Sequence, residues 1–190
     1  ALARARSSSQ DELARQLRCL LSTPDTHTIP PRELESAMFT FDLLIDQGAY
    51  FEVKRHRMMT QTPQRLTASH SYAIPRLVAD AGMLESYCAA MDAARQTFYA
   101  LENVHPAAAA YIVPNGFNRR VLLTVNLRSL VHFIRLRSAP NAHFSVRRAA
   151  QRMAELVTGQ LPPLSGLLGR NENETSNSVE AGCFFSTCQR

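Results

Sequence analysis

The chain reads as an α+β domain, a small and mainly antiparallel sheet packed with long helices, and three stretches predict this. In residues 37–45, Phe39, Phe41, Leu43 and Ile45 alternate with Thr40 and Asp42, the period-2 pattern of a strand with one buried face. Arg120-Val121-Leu122-Leu123-Thr124-Val125 is short and rich in branched side chains, which predicts a second strand. From about Pro75 to Asn103, apolar residues from Leu77 through Leu84, Met91 and Phe98 to Leu101 keep helical spacing over the longest stretch of the chain. The expected architecture is a sheet containing both strands, covered by the 75–103 helix and two C-terminal helices.

The remaining elements follow in order. Residues 1–8 are expected to be disordered. Ser9 with Glu12, ahead of Leu13, Leu17, Leu20 and Leu21, forms a capping box that opens an amphipathic helix, and Thr23-Pro24 ends it. Pro24, Pro30 and Pro31 mark a loop, followed by a short helical turn from Arg32 to Glu35. After Gly48, residues 49–57 read as a helix with Lys54-Arg55-His56-Arg57 at its C-terminal end, where cations complement the helix dipole. Residues 58–74 read as polar loop. A helix follows Pro106 as far as Val113 and stops at Pro114-Asn115-Gly116. Asn126 caps a helix from Leu127 to Arg137, with Leu130, Phe133 and Ile134 inward and Arg128, Arg135 and Arg137 around its rim. The last helix runs from about His143 to Val157, and Leu161-Pro162-Pro163 closes a domain spanning 9–163. Residues 164–190, rich in Asn, Glu and Ser between Arg170 and Gly182, are expected to be a disordered tail.

Composition bounds the function. A chain of 190 residues with 45% hydrophobic content supports one domain with a core. The net charge of +5 is almost all arginine, since Lys54 is the only lysine, and it favours anionic partners. No apolar run reaches the roughly 18 residues of a membrane span, so a soluble, cytoplasmic protein is expected. Cys19, Cys88, Cys183 and Cys188 lack the paired spacing of a zinc site, and His27, His70, His105, His132 and His143 share no spacing, so no metal is expected. The arginines are spread over several segments without interleaved aromatics, which argues against a nucleic-acid module. The chain opens on Ala1-Leu2-Ala3 without an initiator Met, as a fragment of a longer protein would.

The stretch that carries chemistry is Lys54-Arg55-His56-Arg57-Met58-Met59-Thr60-Gln61-Thr62-Pro63-Gln64-Arg65-Leu66-Thr67. Neighbouring like charges repel, and an anionic ligand opposite them relieves that repulsion. Arginine grips phosphate or carboxylate in two places at once. The alternative is a solvated charge run at a helix end, with Met58 and Met59 packing and His132 a core histidine.

Arg55-His56-Arg57 after the strand Phe39-Thr40-Phe41, then Val125-Asn126-Leu127-Arg128-Ser129-Leu130 with His132-Phe133 and Leu136-Arg137, then Ala142-His143-Phe144-Ser145-Val146-Arg147, resemble three ordered motifs of the flavin-dependent thymidylate synthases. The resemblance covers roughly residues 32–158 and implies that family's α+β fold. It also implies methylation of dUMP to dTMP with methylenetetrahydrofolate as carbon donor and FAD reduced by NADPH. Family members are homotetramers whose flavin and nucleotide sites lie where subunits meet. By this resemblance Arg55, His56 and Arg57 contact FAD, and Arg128 contacts the nucleotide.

The sequence departs from the family on the nucleotide side. Arg65 stands where the family has a serine, Thr67 where it has an arginine for the nucleotide, and Pro63 where it has a glutamate. Glu52 replaces a glutamine, and its charge is expected to repel a phosphate. The arginine that holds the pyrimidine falls on Glu155, with Arg152 three residues earlier on nearly the same face. Arg65 and Arg152 are therefore the candidates to replace the lost contacts. Two readings follow: a thymidylate synthase domain completed by a homo-oligomer or tandem partner domain, or a catalytically silent FAD-binding or scaffolding copy paired with an intact domain.

Overall fold

The computed structural model describes residues 29–185 and, before them, Ser9, Asp11, Glu12, Arg15 and Gln16. The expected disordered start lies outside the described residues, as do the leucines of the first helix. At that helix's start the Glu12 N–H donates to Ser9 Oγ at 3.2 Å.

The described residues contain one sheet of three antiparallel-paired strands, in the order β1 (Met38–Asp46), β3 (Asn118–Asn126), β2 (Met59–Pro63). The α+β class holds. The alternation in the sequence is the alternation of the faces. Phe41 and Ile45 of β1 and Val121, Leu123 and Val125 of β3 point into the core. Thr40, Thr124 and Thr60 stand in register across the outer face, with Thr40 and Thr124 hydroxyls 3.0 Å apart. Asp42 and Arg120 form a two-pronged pair on that face at 2.8 and 2.6 Å.

Both long strands run directly into helices through a side-chain cap. The Asp46 carboxylate accepts from the Ala49 N–H at 2.8 Å and opens α1 (Gln47–Val53). Asn126 Oδ1 accepts from the Ser129 N–H at 2.8 Å and opens α5 (Leu127–Arg137), as its sequence predicts. β1 and β2 are both antiparallel to β3 and hence parallel to each other, so α1 is the crossover that carries the chain back along the sheet.

Three expectations between residues 49 and 103 change. The helix expected over 49–57 ends at Val53, because Gln61 Nε2 donates to the carbonyls of Val53 (3.3 Å) and His56 (2.9 Å) and folds the Arg-His-Arg segment into a turn. Within the expected 58–74 loop lies β2, an edge strand with Pro63 at its last position. The helix expected over 75–103 is two: α2 (Arg76–Asp80) and α3 (Leu84–Glu102), separated where Gly82 takes a left-handed φ of 71°.

Of these, α3 does not cover the sheet. Its Met91 and Phe98 join Ala109 of α4 (Pro106–Ile112) with Val113 and Phe117 in a second core cluster. The sheet's buried face packs instead against α1, α5 and α6 (Phe144–Gln160) in the main core, where Leu130, Phe133, Ile134, Val146, Ala150 and Met153 are excluded from water. Burying about ten such side chains at 1.5–3 kcal/mol each supplies the main drive to this layer.

The tail also differs from expectation. Leu164, Leu167 and Leu168 fill the main core, and α7 (Ser165–Leu168) and α8 (Ser176–Cys183) follow. Thr175 and Ser178 form a reciprocal capping box at the start of α8, while Val179 and Phe184 are buried. Scattered Asn, Glu and Ser here are caps and ion-pair partners to α6, including Arg148–Glu180 and Arg147–Glu174. Cys88 and Cys183 form no disulfide with each other or with other described residues.

Candidate functional site

The turn after α1 and one side of α5 face each other across an open cavity of about 780 Å³. Its walls include Arg55, His56 and Arg57 from the turn and Arg128, His132 and Arg137 from α5. A one-turn 3₁₀ segment, Arg32–Ser36, contributes Glu35 at the rim. The fold brings these together because β2 pairs with the end of β3, Met59 opposite Val125, and so places the turn beside the residue that caps α5.

The arginines of the cavity are not equivalent. Arg137 is nearly buried, its side chain 14% exposed, and its guanidinium is committed: Nη1 pairs with the Glu52 carboxylate, Nη2 donates to the Glu52 carbonyl at 3.3 Å, and Nε donates to His56 Nε2 at 2.9 Å. Arg128 donates from Nη1 to Glu35 at 2.6 Å and from Nε to the Pro30 carbonyl at 3.0 Å. Arg135 donates to the Leu167 carbonyl at 3.2 Å. By contrast Arg55 is 71% exposed, with only a 3.9 Å contact to Glu52, and Arg57 is exposed with no hydrogen bond or ion pair to a described residue. The turn is thus the open cationic pole of the cavity.

Glu52 is in place to neutralise Arg137 rather than to repel a ligand, which answers the objection raised by its sequence. His56 packs edge-on against Phe133 with ring centroids 4.8 Å apart and lies 5.9 Å from the His132 ring. Burial, then the cation of Arg137 and the electrostatic influence of the facing His132 ring, hold its imidazole down to about 4, against the opposing pull of Glu52. His56 is therefore neutral at physiological pH.

Of the residues singled out from the sequence, Arg55, His56, Arg57 and Arg128 line this one cavity. Arg65 does not: it pairs with Glu102 and donates to the Pro106 carbonyl at 3.3 Å, fastening the second cluster. Arg152 lies in a separate groove between β1 and α6, 3.8 Å from Glu155. Glu155 itself accepts from the backbone and hydroxyl of Ser176. Sequence reasoning missed Glu35, Glu52 as a partner, and Arg137 as the group behind His56. The signal available was charge complementarity between the two acids Glu35 and Glu52 and the arginines Arg128 and Arg137.

Residues 7–163 match the profile of a family described as "Thymidylate synthase complementing protein". A UPF0159 protein of Chlamydia muridarum is 40% identical over 127 residues, 67% of this chain and 24% of that protein. A UPF0159 protein of Thermoplasma acidophilum is 31% identical over 163 residues, 80% of this chain and 33% of that protein. A "Flavin-dependent thymidylate synthase" of Geobacter sulfurreducens is 30% identical over 141 residues, 69% of this chain and 61% of that protein. The chain thus spans about a quarter to a third of the length of the UPF0159 relatives it matches. With the profile covering well over half of its length, the chain belongs to the thymidylate synthase complementing protein family.

Proposed function

We propose that this chain is the flavin-binding part of a thymidylate synthase that methylates dUMP to dTMP with methylenetetrahydrofolate, FAD and NADPH in the cytoplasm. The observation that carries the reading is the pairing pattern of the cavity: Arg55 and Arg57 stand open on one turn beside a neutral His56, while Arg137 and Arg128 are already matched by Glu52 and Glu35. This donor set fits a dinucleotide cofactor. Guanidinium groups at the open pole suit a pyrophosphate, the neutral imidazole, backed by the buried Phe133, suits an aromatic ring, and the volume is that of a cofactor site.

In this reading Arg55, His56 and Arg57 hold FAD and Arg128 orients the nucleotide. The bound flavin, reduced by NADPH, would supply the reducing equivalents for the transfer. What the chain contributes is charge and position. Arg57 and Arg55 bind the anionic end, the Glu35 carboxylate fixes Arg128 in one orientation, and among the described residues no cysteine stands in the cavity wall.

The open side of the cavity and the exposed Leu77, Met83, Tyr99 and Tyr111 along α2, α3 and α4 support a partner, either further copies or a tandem domain of a longer protein. Among the described residues no helix is long and apolar enough to cross a membrane.

The second reading is a silent FAD-binding or scaffolding copy paired with an intact domain. It is favoured by the positions of Arg65 and Arg152, each engaged away from the cavity. One experiment separates them. The purified chain is mixed with FAD, desalted, and its visible spectrum recorded beside that of Arg55→Ala. A flavin band retained by the parent and lost by the variant supports the cofactor site, and turnover of dUMP with methylenetetrahydrofolate and NADPH then decides between synthase and silent copy. A colourless folded protein overturns the flavin reading.

A further inference from the structure

His56 is held from every side. Its backbone N–H donates to the Val53 carbonyl at 3.0 Å, its carbonyl accepts from Gln61 at 2.9 Å, and its ring stands edge-on to Phe133. Only one ring nitrogen has a hydrogen-bond partner among the described residues: Nε2, 2.9 Å from Arg137 Nε. A guanidinium has donors and no acceptor. Nε2 must therefore be the unprotonated nitrogen, and the single proton of the neutral ring sits on Nδ1.

Arg137 cannot swing away to relax this constraint. Glu52 holds it through both its carboxylate and its carbonyl, and these contacts fix the guanidinium plane that presents Nε to the ring. The other charged or titratable groups on this assembly are His132 one face away and Arg55, 3.9 Å from the same carboxylate.

We infer that Arg137, anchored by Glu52, is a positioning residue that locks His56 in the Nδ1–H tautomer and so gives the cavity a neutral ring with one outward donor for a ligand acceptor oxygen or nitrogen. A histidine whose tautomer is free offers donor and acceptor in turn. This one offers a donor only, so the chain selects ligands that accept at that point. The inference deepens the flavin reading but does not depend on it, because the tautomer is a property of the ligand-free chain.

The test is two-bond ¹H–¹⁵N correlation NMR of the full chain, with the His56 signals assigned by their loss in His56→Gln. The parent is expected to show a protonated Nδ1 and a bare Nε2 from pH 7 down to about pH 5. Arg137→Met removes the donor, and the Glu52→Gln/Arg137→Met pair does so without leaving a lone carboxylate, should the single variant fail to fold. In either, the signals are expected to average between tautomers and the ring to titrate nearer the ordinary histidine range. Arg137→Lys, which restores a cation and a donor, is expected to recover the Nδ1–H signature.

The second arm is FAD affinity by flavin fluorescence. Arg137→Met and His56→Gln are each expected to weaken binding about tenfold, and the double variant no further. A protonated Nε2 in the parent, or an unchanged tautomer in both donor-less variants, overturns the inference. So do additive losses of affinity. If the parent takes up no FAD, the flavin reading fails and the NMR result alone decides this inference.

Discussion

Glu155 accepts two hydrogen bonds from Ser176, one from its backbone N–H at 2.7 Å and one from its hydroxyl at 2.5 Å. Ser176 is buried and opens α8, so a side chain on α6 ties down the C-terminal segment. Glu155→Ala leaves both donors without their acceptor. A buried unsatisfied donor costs about 1–3 kcal/mol, and at roughly 2–4 °C per kcal/mol for a chain of this size the melting temperature should fall by about 5–10 °C. Hydrogen exchange over 176–183 should accelerate in the variant. An unchanged melt would show that α8 is not anchored through Glu155.

The ring of His56 sets a pH dependence. Its folded value of about 4 lies below the ordinary 6.5, so the unfolded chain binds the proton more tightly. The stabilisation is present in full above pH 6.5 and is lost as pH falls through that window toward 4. Discounted for partial exposure, the effect is about 1–2 kcal/mol. Urea titrations of the parent and His56→Gln at pH 7 and 4.5 should show the parent losing more stability than the variant. Parallel losses would sink the assignment.

Gly169 takes a φ of 58°, and a Cβ built there would lie 2.7 Å from Arg135 Nε. Gly169→Ala therefore adds a left-handed backbone penalty of about 1–2 kcal/mol and pushes Arg135 from the Leu167 carbonyl. Because Arg135 also lines the cavity, we expect a lower melting temperature together with weaker FAD retention. Loss of stability with cofactor binding intact would show that Arg135 does not shape the site.

The arginines should sort by location. Arg55→Ala and Arg57→Ala are expected to weaken FAD binding about tenfold or more, the scale of one charge-assisted contact. Arg65→Ala and Arg152→Ala, engaged outside the cavity, should leave FAD affinity within about twofold. Titration by flavin fluorescence checks all four. Equal losses in both pairs would mean general electrostatic attraction rather than a built site.

How much of this was legible in the sequence depended on how local the cause was. β1, β3 and the Asn126 cap could be read because their patterns close within a few residues: alternation fixes a strand's faces, and an Asn before an apolar helix satisfies its first N–H groups. β2 could not, since Thr60, Gln61 and Thr62 show no alternation and are held at the sheet edge by Thr124, Leu123 and Leu122, far along the chain. The tail was misread for the same reason. Its few apolar residues, Leu164, Leu167, Leu168, Val179 and Phe184, are too sparse to predict a core by themselves and have meaning only against distant elements such as α5 and α6.

For the site, the Arg-His-Arg motif and Arg128 could be found as residues, but which arginines were spoken for could not. Glu35 and Glu52 decide that, and their pairings with Arg128 and Arg137 join positions 93 and 85 residues apart.

The strand order has a temporal consequence. β3 lies in the middle of the sheet yet is the last of the three to be synthesised, and Thr40 finds Thr124 across 84 residues of chain. Neither β1 nor β2 has a partner until residue 126 has left the ribosome. The apolar nine-residue β1 must wait unpaired through the synthesis of the entire second cluster, a period in which it can meet another nascent chain. Closing so long a loop also slows refolding relative to a helical domain of equal size. The central placement of a late strand makes formation of the sheet, and with it the cavity beside Asn126, a single event near the end of folding.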